Sequence, residues 1–177
     1  MFERYSENAR RSIFFARYEA SVLGSASIET EHLLLGLLRE SDVMRSLISS
    51  KTREEMRATI AAEMGARAPT PATGDLPLSR QSKIVLAYAV EEVERLNQKH
   101  VQPEHLALGL LREENGLGGR LLREHGISVE ILRQKLPKLP ESVAASVPAG
   151  RDLQLAFATQ VRRLAPEDEP ATVFLLP

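Results

Sequence analysis

Apolar residues recur at helical spacing along most of this chain. From position 9 an apolar residue returns every third or fourth place, which is typical of the buried face of an amphipathic helix. The residues of this face are Ala9, Ile13, Ala16, Ala20 and Leu23. Ser6 can accept from backbone N–H groups of the first turn, and Gly24 can take the left-handed conformation that ends a helix. The pattern therefore predicts a first helix between these two residues.

A leucine-rich stretch predicts a second helix, which we expect Thr30 to cap. Its leucines at positions 33, 34, 37 and 38 cover so much of the helix surface that the helix should be largely buried. Gly36 lies among them, although glycine inside a helix costs about 1 kcal/mol relative to alanine. We therefore expect another helix to pack closely against Gly36.

Two more helices complete this part of the pattern. Ser41 to Ile48 can form a short third helix. Thr52 and Glu55 have the spacing of a capping box and predict the start of a fourth, which Gly65 would end. The apolar face of this fourth helix is predicted to contain Met56, Ile60 and Met64.

The whole pattern then occurs a second time. The stretch IETEHLLLGLLRE at 28–40 returns as VQPEHLALGLLRE at 101–113, and the offset that relates His32 to His105 extends back without a gap to Ser6 and Ser79. A repeat of this length indicates one folded unit used twice. In the second copy we expect Ser79 to cap the first helix, Pro103 to open the second and Ser128 to cap the last, with a short helix over Gly118 to His125. The predicted core faces of its first and last helices comprise Ile84, Ala87, Val90, Val93 and Leu96, then Val129, Leu132 and Leu136.

These elements predict an all-α fold, in which two pseudo-symmetric four-helix repeats form one compact domain followed by a C-terminal tail. We place the domain at 1–136, with repeats at 1–65 and 79–136 and a proline-rich linker at 66–78, and an extension at 137–177. Within the extension, Asp152 to Ala165 fits a helix, which we favour. It also fits a strand that pairs with the final apolar segment ATVFLLP.

Composition narrows the classes of function. The chain has 23 basic and 24 acidic residues, a net charge of −1, and so lacks the basic excess typical of nucleic-acid binding. It has no cysteine, which excludes disulfides and thiolate chemistry. No apolar run approaches the roughly 18 residues of a membrane-spanning helix, and the first residues lack the apolar core of a signal peptide. We expect a cytoplasmic protein that binds neither nucleic acid nor membrane.

The two copies of the E-H-L-x-L-G-L-L-R-E motif resemble those of the N-terminal domain of Clp-type ATPase unfoldases, most closely the ClpC branch. The resemblance covers about residues 1–136. It implies a non-enzymatic module that needs no cofactor and binds substrate proteins, degrons or adaptors for a Clp ATPase or protease. No G-x-x-x-x-G-K-[ST] phosphate loop occurs in the sequence. We therefore expect a free-standing N-domain, whose tail favours a complete chain, or else a fragment of a longer protein. A decoy, an adaptor and an accessory subunit of the protease are the possible roles.

The resemblance also implies a ligand site. In ClpC-like domains the glutamates that match Glu31 and Glu104 bind phosphoarginine, a mark for degradation. By resemblance these two residues would hold the guanidinium group, while Ser6 and Ser79 would help to hold the phosphate. Pro103 stands where the family has threonine, so we expect the second site to be weaker than the first. The alternative role for both glutamates is stabilisation of the helix N-terminus by a negative charge.

The repeated motif also contains His32 and His105, which we interpret as buried residues bonded to the backbone. A small hydrolase that uses Glu31 and His32 is the alternative from another class, and it would need a dry cleft that brings the two side chains together. The pairs Arg39–Glu40 and Arg112–Glu113 are interpreted as solvated helix ends with local ion pairs.

Overall fold

The computed structural model describes residues 4–65, 67–69 and 76–136, and these residues form eight α-helices and no β-strand. The first four are α1 (Glu7–Val22), α2 (Thr30–Glu40), α3 (Asp42–Leu47) and α4 (Ser50–Met64). The other four are α5 (Arg80–Arg95), α6 (Pro103–Arg112), α7 (Leu117–Glu124) and α8 (Val129–Lys135). The predicted all-α fold with two sets of four helices is confirmed. The predicted helix or strand at 152–165 and the final apolar segment lie outside the described residues.

The two central helices, α2 and α6, form the middle of the core. Each packs against the first helix of its own repeat, and each also contacts α7 and the other central helix. Gly36 of α2 faces the backbone carbonyl of Ser12 so closely that a Cβ atom would collide with it, and Gly109 of α6 faces the carbonyl of Val85 in the same way. The close contact predicted from these glycines is confirmed.

The two repeats are joined by a reciprocal backbone pairing. Tyr5 forms a parallel bridge with Val101, and Ile28 forms one with Leu78. The repeat offset relates Tyr5 to Leu78 and Ile28 to Val101, so it converts the first pair into the second. In the corresponding hydrogen bonds, the N–H of Ser6 donates to Val101 at 3.0 Å, and the N–H of Ser79 donates to Ile28 at 3.1 Å. This exchange is what a pseudo-twofold relation between the repeats requires.

Two helix starts differ from the sequence-based predictions. The N-cap of α2 is Glu29, and Thr30 is the first helical residue, because the ring of His32 reaches back to the Glu29 N–H and completes a capping box. The N-cap of α4 is Ser49, whose hydroxyl accepts from the N–H of Thr52, so no capping box forms at Thr52 and Glu55. In both cases an earlier side chain captures the free N–H groups of the first turn.

The core face of α5 was predicted incorrectly. The fully buried apolar residues are Val85, Leu86, Ala89 and Val93, whereas Ile84, Ala87 and Val90 are only partly buried. Val93 alone belongs to both sets. The repeat offset indicates the correct face, since these four positions align with the buried positions 12, 13, 16 and 20 of α1.

The predicted linker contributes to the core. Its described residues contain no helix, but Leu76 and Leu78 are 4% and 7% exposed. The carbonyl of Pro77 accepts from the N–H of Ile28 at 2.7 Å, so this end of the segment is tied to the start of α2. In the described part of the chain, no helix is both long and apolar enough to cross a membrane.

Candidate functional site

Glu31 is a half-buried carboxylate in the first turn of α2. Burial raises the pKa of its side chain, and the negative charges of Glu29 and Glu63 raise it further. Two hydrogen bonds oppose this shift: one from the backbone N–H of Glu31 itself, and a long one of 3.3 Å from the Thr30 hydroxyl to Oε2. Glu31 therefore lies in a locally negative and partly dehydrated position, where a cation would be favoured.

Glu104 occupies the same position in α6 but has a different partner. Its Oε1 accepts from the hydroxyl of Ser41, the N-cap of α3, at 2.6 Å. The same hydroxyl accepts from the N–H of Met44, and Ser41 is 1% exposed. The first repeat thus orients the carboxylate of the second.

Ser6 and Ser79 are the N-caps of α1 and α5, as predicted. The Ser6 hydroxyl accepts from the N–H of Ala9 at 3.2 Å, and that of Ser79 accepts from the N–H of Ser82 at 3.1 Å. Each serine is partly exposed and stands at the positive end of a helix of 16 residues.

The reciprocal pairing decides which serine accompanies which glutamate. Ser6 is bonded to Val101, three residues before Glu104, and Ser79 is bonded to Ile28, three residues before Glu31. Because the paired segments run parallel and each continues into a helix, α1 and α6 begin side by side, as do α5 and α2. Each candidate site is therefore assembled from both repeats, which spacing along the sequence did not indicate.

The two candidate sites differ at Thr30 and Pro103. Thr30 is 2% exposed, and its hydroxyl accepts from the N–H of Gly118 at 3.2 Å. This hydroxyl is therefore already engaged by α7, and it also donates to the Glu31 carboxylate. Pro103 is also buried.

The motif histidines have the structural role that we expected. His32 and His105 are 0% exposed, and their Nδ1 atoms accept from backbone N–H groups at 2.9 and 2.8 Å. Burial lowers the pKa of each ring to about 4, so both are neutral near pH 7. Since the ring of His32 is buried and serves as a cap, the structure does not support its use as a base beside Glu31.

Two buried carboxylates outside the candidate sites were missed. Glu19 of α1 is 3% exposed and accepts two hydrogen bonds of 2.8 Å from Arg57 of α4. Its counterpart Glu92 is 0% exposed and is bound by Arg133 of α8 and Arg112 of α6. The sequence signal that could have identified these two residues is the recurrence of glutamate at the repeat offset.

The residues at the helix ends around Arg39 and Arg112 contact a neighbouring helix and do not only form ion pairs within their own helix end. Arg39 stacks on the ring of Phe15 at 3.8 Å, and Arg112 stacks on Tyr88 at 4.2 Å. Glu40 pairs with Arg11 of α1 at 3.0 Å. These contacts connect the first two helices within each repeat, so the prediction of local ion pairs is wrong, although Arg39 is exposed as predicted.

Glu113 was expected at a solvated end as well. It is 4% exposed, and its carboxylate accepts from the backbone N–H groups of Asn115 and Gly116 just before α7. Over the described ranges, no group of three or more His, Asp or Glu side chains could hold a metal ion.

Comparison with known proteins identifies the family. The model of the Clp repeat (R) N-terminal domain matches residues 4–125 and 77–164. The chain belongs to this family of Clp N-terminal domains, as the repeated motif predicted. The family match is supported by individual relatives and by solved structures.

Two relatives show the extent of the similarity. The chaperone protein ClpD2, chloroplastic, of Oryza sativa subsp. japonica is 31% identical over 150 residues, which cover 81% of this chain and 16% of that protein. The negative regulator of genetic competence ClpC/MecB of Bacillus subtilis is 32% identical over 148 residues, or 78% of this chain and 17% of that protein. The chain thus spans a small part of the length of these relatives.

Solved structures agree with this fold. The N-terminal domain of the Arabidopsis thaliana chaperone ClpD aligns with a TM-score of 0.58 and 32% identity, covering 76% of this chain and 95% of that one. The Hsp104 N-terminal domain from Candida albicans aligns with a TM-score of 0.62 and 18% identity, covering 75% and 89%. The second likeness is one of fold alone.

Proposed function

We propose that this protein is a non-enzymatic binding module that recognises arginine-phosphorylated segments of substrate or adaptor proteins in Clp-dependent proteolysis. The observation that carries the proposal is the backbone pairing of Ser6 with Val101 and of Ser79 with Ile28, which brings the N-terminus of each first helix to the segment that precedes the glutamate of the other repeat. Membership of the Clp N-domain family supports a role in binding proteins.

The chemistry of the site suits a ligand with both charges. A carboxylate can form two parallel hydrogen bonds with a guanidinium group. A helix N-terminus offers N–H groups and a partial positive charge to a phosphate. In phosphoarginine the two groups are directly bonded, so both parts of the site would have to lie close together. The reciprocal backbone pairing supports such an arrangement for Glu31 with Ser79 and for Glu104 with Ser6.

The two sites are expected to contribute unequally. At Glu104 an incoming guanidinium group must compete with the Ser41 hydroxyl, which already donates at 2.6 Å. At Glu31 the carboxylate is partly dehydrated and lies near Glu29 and Glu63, so it gains more from a cation. The Glu31 site is therefore the stronger site in this proposal.

Calorimetric titration with free phosphoarginine tests the assignment. We expect Glu31→Ala to lose about tenfold or more in affinity, because a charge-assisted hydrogen bond contributes about 1.5–3 kcal/mol. We expect a smaller loss for Glu104→Ala and almost no binding for the double variant.

Glu54→Ala is the matched control, since Glu54 is an exposed glutamate of α4 that lies away from both sites. Circular dichroism shows whether each variant remains folded. Unchanged affinity in folded Glu31→Ala protein would return both glutamates to the role of helix stabilisation and leave the phosphoarginine proposal without support. Phosphoserine and unmodified arginine serve as ligand controls, and neither should compete with phosphoarginine for binding.

A further inference from the structure

Helix α1 has a stripe of exposed apolar side chains on its outer face. Phe14, Tyr18 and Val22 are 36%, 49% and 44% exposed. They are four residues apart, so they align along one side of the helix. Across the described parts of the chain, the one other large apolar residue with comparable exposure is Ile131, at 36%.

The fold does not require apolar side chains at positions 18 and 22, although the ring of Phe14 also packs edge-on against Phe15. In the second repeat the corresponding positions of α5 hold Ala87, Glu91 and Arg95. The side chains of Glu91 and Arg95 are 56% and 59% exposed, so this face points to solvent in both repeats. Because charged residues are accepted at the same place in the same fold, the stripe on α1 is available for binding.

The stripe has a basic end. Arg10 and Arg11 are exposed one turn before Phe14. Arg11 bonds to Glu40, yet its side chain remains 55% exposed. From Arg10 to Val22, the face of α1 is first basic and then apolar, and it suits a segment that is first acidic and then apolar.

The chain itself contains such a segment. Residues 167–176 read EDEPATVFLL, with three consecutive acidic residues followed by an apolar run. Nowhere else in the sequence do three acidic residues follow one another. The segment lies outside the described residues.

The lengths are compatible. From Arg11 to Val22 the helix is about 16 Å long. Extended chain from Asp168 to Leu175 can span about 23 Å, and the roughly 30 residues after Leu136 can reach about 100 Å. We propose that residues 167–176 bind to the outer face of α1 in the same molecule, with the acidic residues at Arg10 and Arg11 and the apolar residues at Phe14, Tyr18 and Val22. This inference does not depend on phosphoarginine binding.

Disulfide trapping tests the proposal, because the full chain has no cysteine of its own. One variant combines Val22→Cys with Leu175→Cys. The matched control combines Arg95→Cys with Leu175→Cys, since position 95 is the counterpart of position 22 in the second repeat. In dilute protein we expect the first pair to form an intramolecular disulfide at least tenfold faster than the control pair.

Charge removal provides a second measurement. The combined change Glu167→Gln, Asp168→Asn and Glu169→Gln should slow disulfide formation in the first cysteine pair severalfold and leave the rate of the control pair unchanged. Circular dichroism confirms that each protein is folded. Equal rates in the two pairs would overturn the proposal. Disulfide-linked dimers as the main product would overturn it too, because they would identify a second copy as the occupant of the face.

Discussion

At the residue scale, Glu31 combines a stability cost with a candidate function. Its raised pKa means that ionisation is less favourable in the folded protein than in the unfolded chain. Below the unfolded pKa of about 4.3 both states are protonated and the residue has no effect. As the pH rises through the folded pKa, the folded state acquires a partly dehydrated charge and loses stability.

We therefore expect Glu31→Gln to be more stable than the natural protein at pH 7, with the difference vanishing below about pH 4. Thermal unfolding followed across this pH range measures the effect. Glu54→Gln, the same substitution at an exposed position, is the control. A Glu31→Gln protein that is less stable at pH 7 would mean that the carboxylate mainly stabilises the N-terminus of α2.

Single residues show where sequence reasoning succeeded. Ser6, Ser79 and Ser128 are N-caps as predicted, because a serine before an apolar periodic segment specifies a cap locally. The grouping of Ser79 with Glu31 could not be predicted, since it depends on a backbone pairing between segments that are distant in the sequence. The use of Thr30 by α7 was missed for the same reason.

At the element scale, buried ion pairs attach the last helix of each repeat. Arg57 connects α4 to Glu19 of α1, and Arg133 connects α8 to Glu92 of α5. Glu92 has two further cations, Arg112 at 3.0 Å and Arg95 at 3.9 Å. Both repeats therefore attach their last helix through a buried glutamate and an arginine, but only the glutamate of the second repeat has additional arginine partners among the described residues.

Arg57→Met should destabilise the protein by about 3 kcal/mol, because it removes the described partner of a buried carboxylate. Arg133→Met should cost less, about 1.5 kcal/mol, since Arg112 still neutralises Glu92. Urea unfolding compares the two variants, with exposed Arg80→Met as a control that should differ little from the natural protein. Equal losses for Arg57→Met and Arg133→Met would show that Arg112 does not compensate.

At this scale the sequence predicts where the helices lie better than it predicts which face of each helix is buried. Helical periodicity located all eight described elements, and the leucine stripe of α2 identified its buried surface. On α5 the apolar residues nearly surround the helix, so periodicity chose Ile84 and Ala87 over Val85 and Leu86, which are 0% and 1% exposed. Glu19 and Glu92 look polar in any hydropathy pattern, and their burial depends on arginines from distant helices.

At the scale of the whole molecule, the repeats are interlocked. The segment before each first helix pairs with the segment before the central helix of the other repeat, and α2 also contacts α6 and α7. The two repeats are therefore units of sequence, and we do not expect either to be stable without the other. We expect the two halves to unfold together, because neither can open without breaking the pairing of the other.

Tryptophan reporters can test this cooperativity, since the chain has no tryptophan. Phe15→Trp and Tyr88→Trp place a reporter under the equivalent arginines Arg39 and Arg112, one in each repeat. In urea both reporters should show the same midpoint, and each should match the loss of helical circular dichroism.

A core truncation makes the test sharper. Leu132 lies in α8 and is 0% exposed, so Leu132→Ala should cost about 2–5 kcal/mol. Added to each reporter protein, this change should lower both midpoints equally, although Phe15 belongs to the other repeat. If the midpoint fell only for the reporter at position 88, the repeats would be separate folding units. The reciprocal bridges at Val101 and Ile28 would then be contacts between two domains, because a pairing that both halves needed for stability would transmit the loss from one to the other.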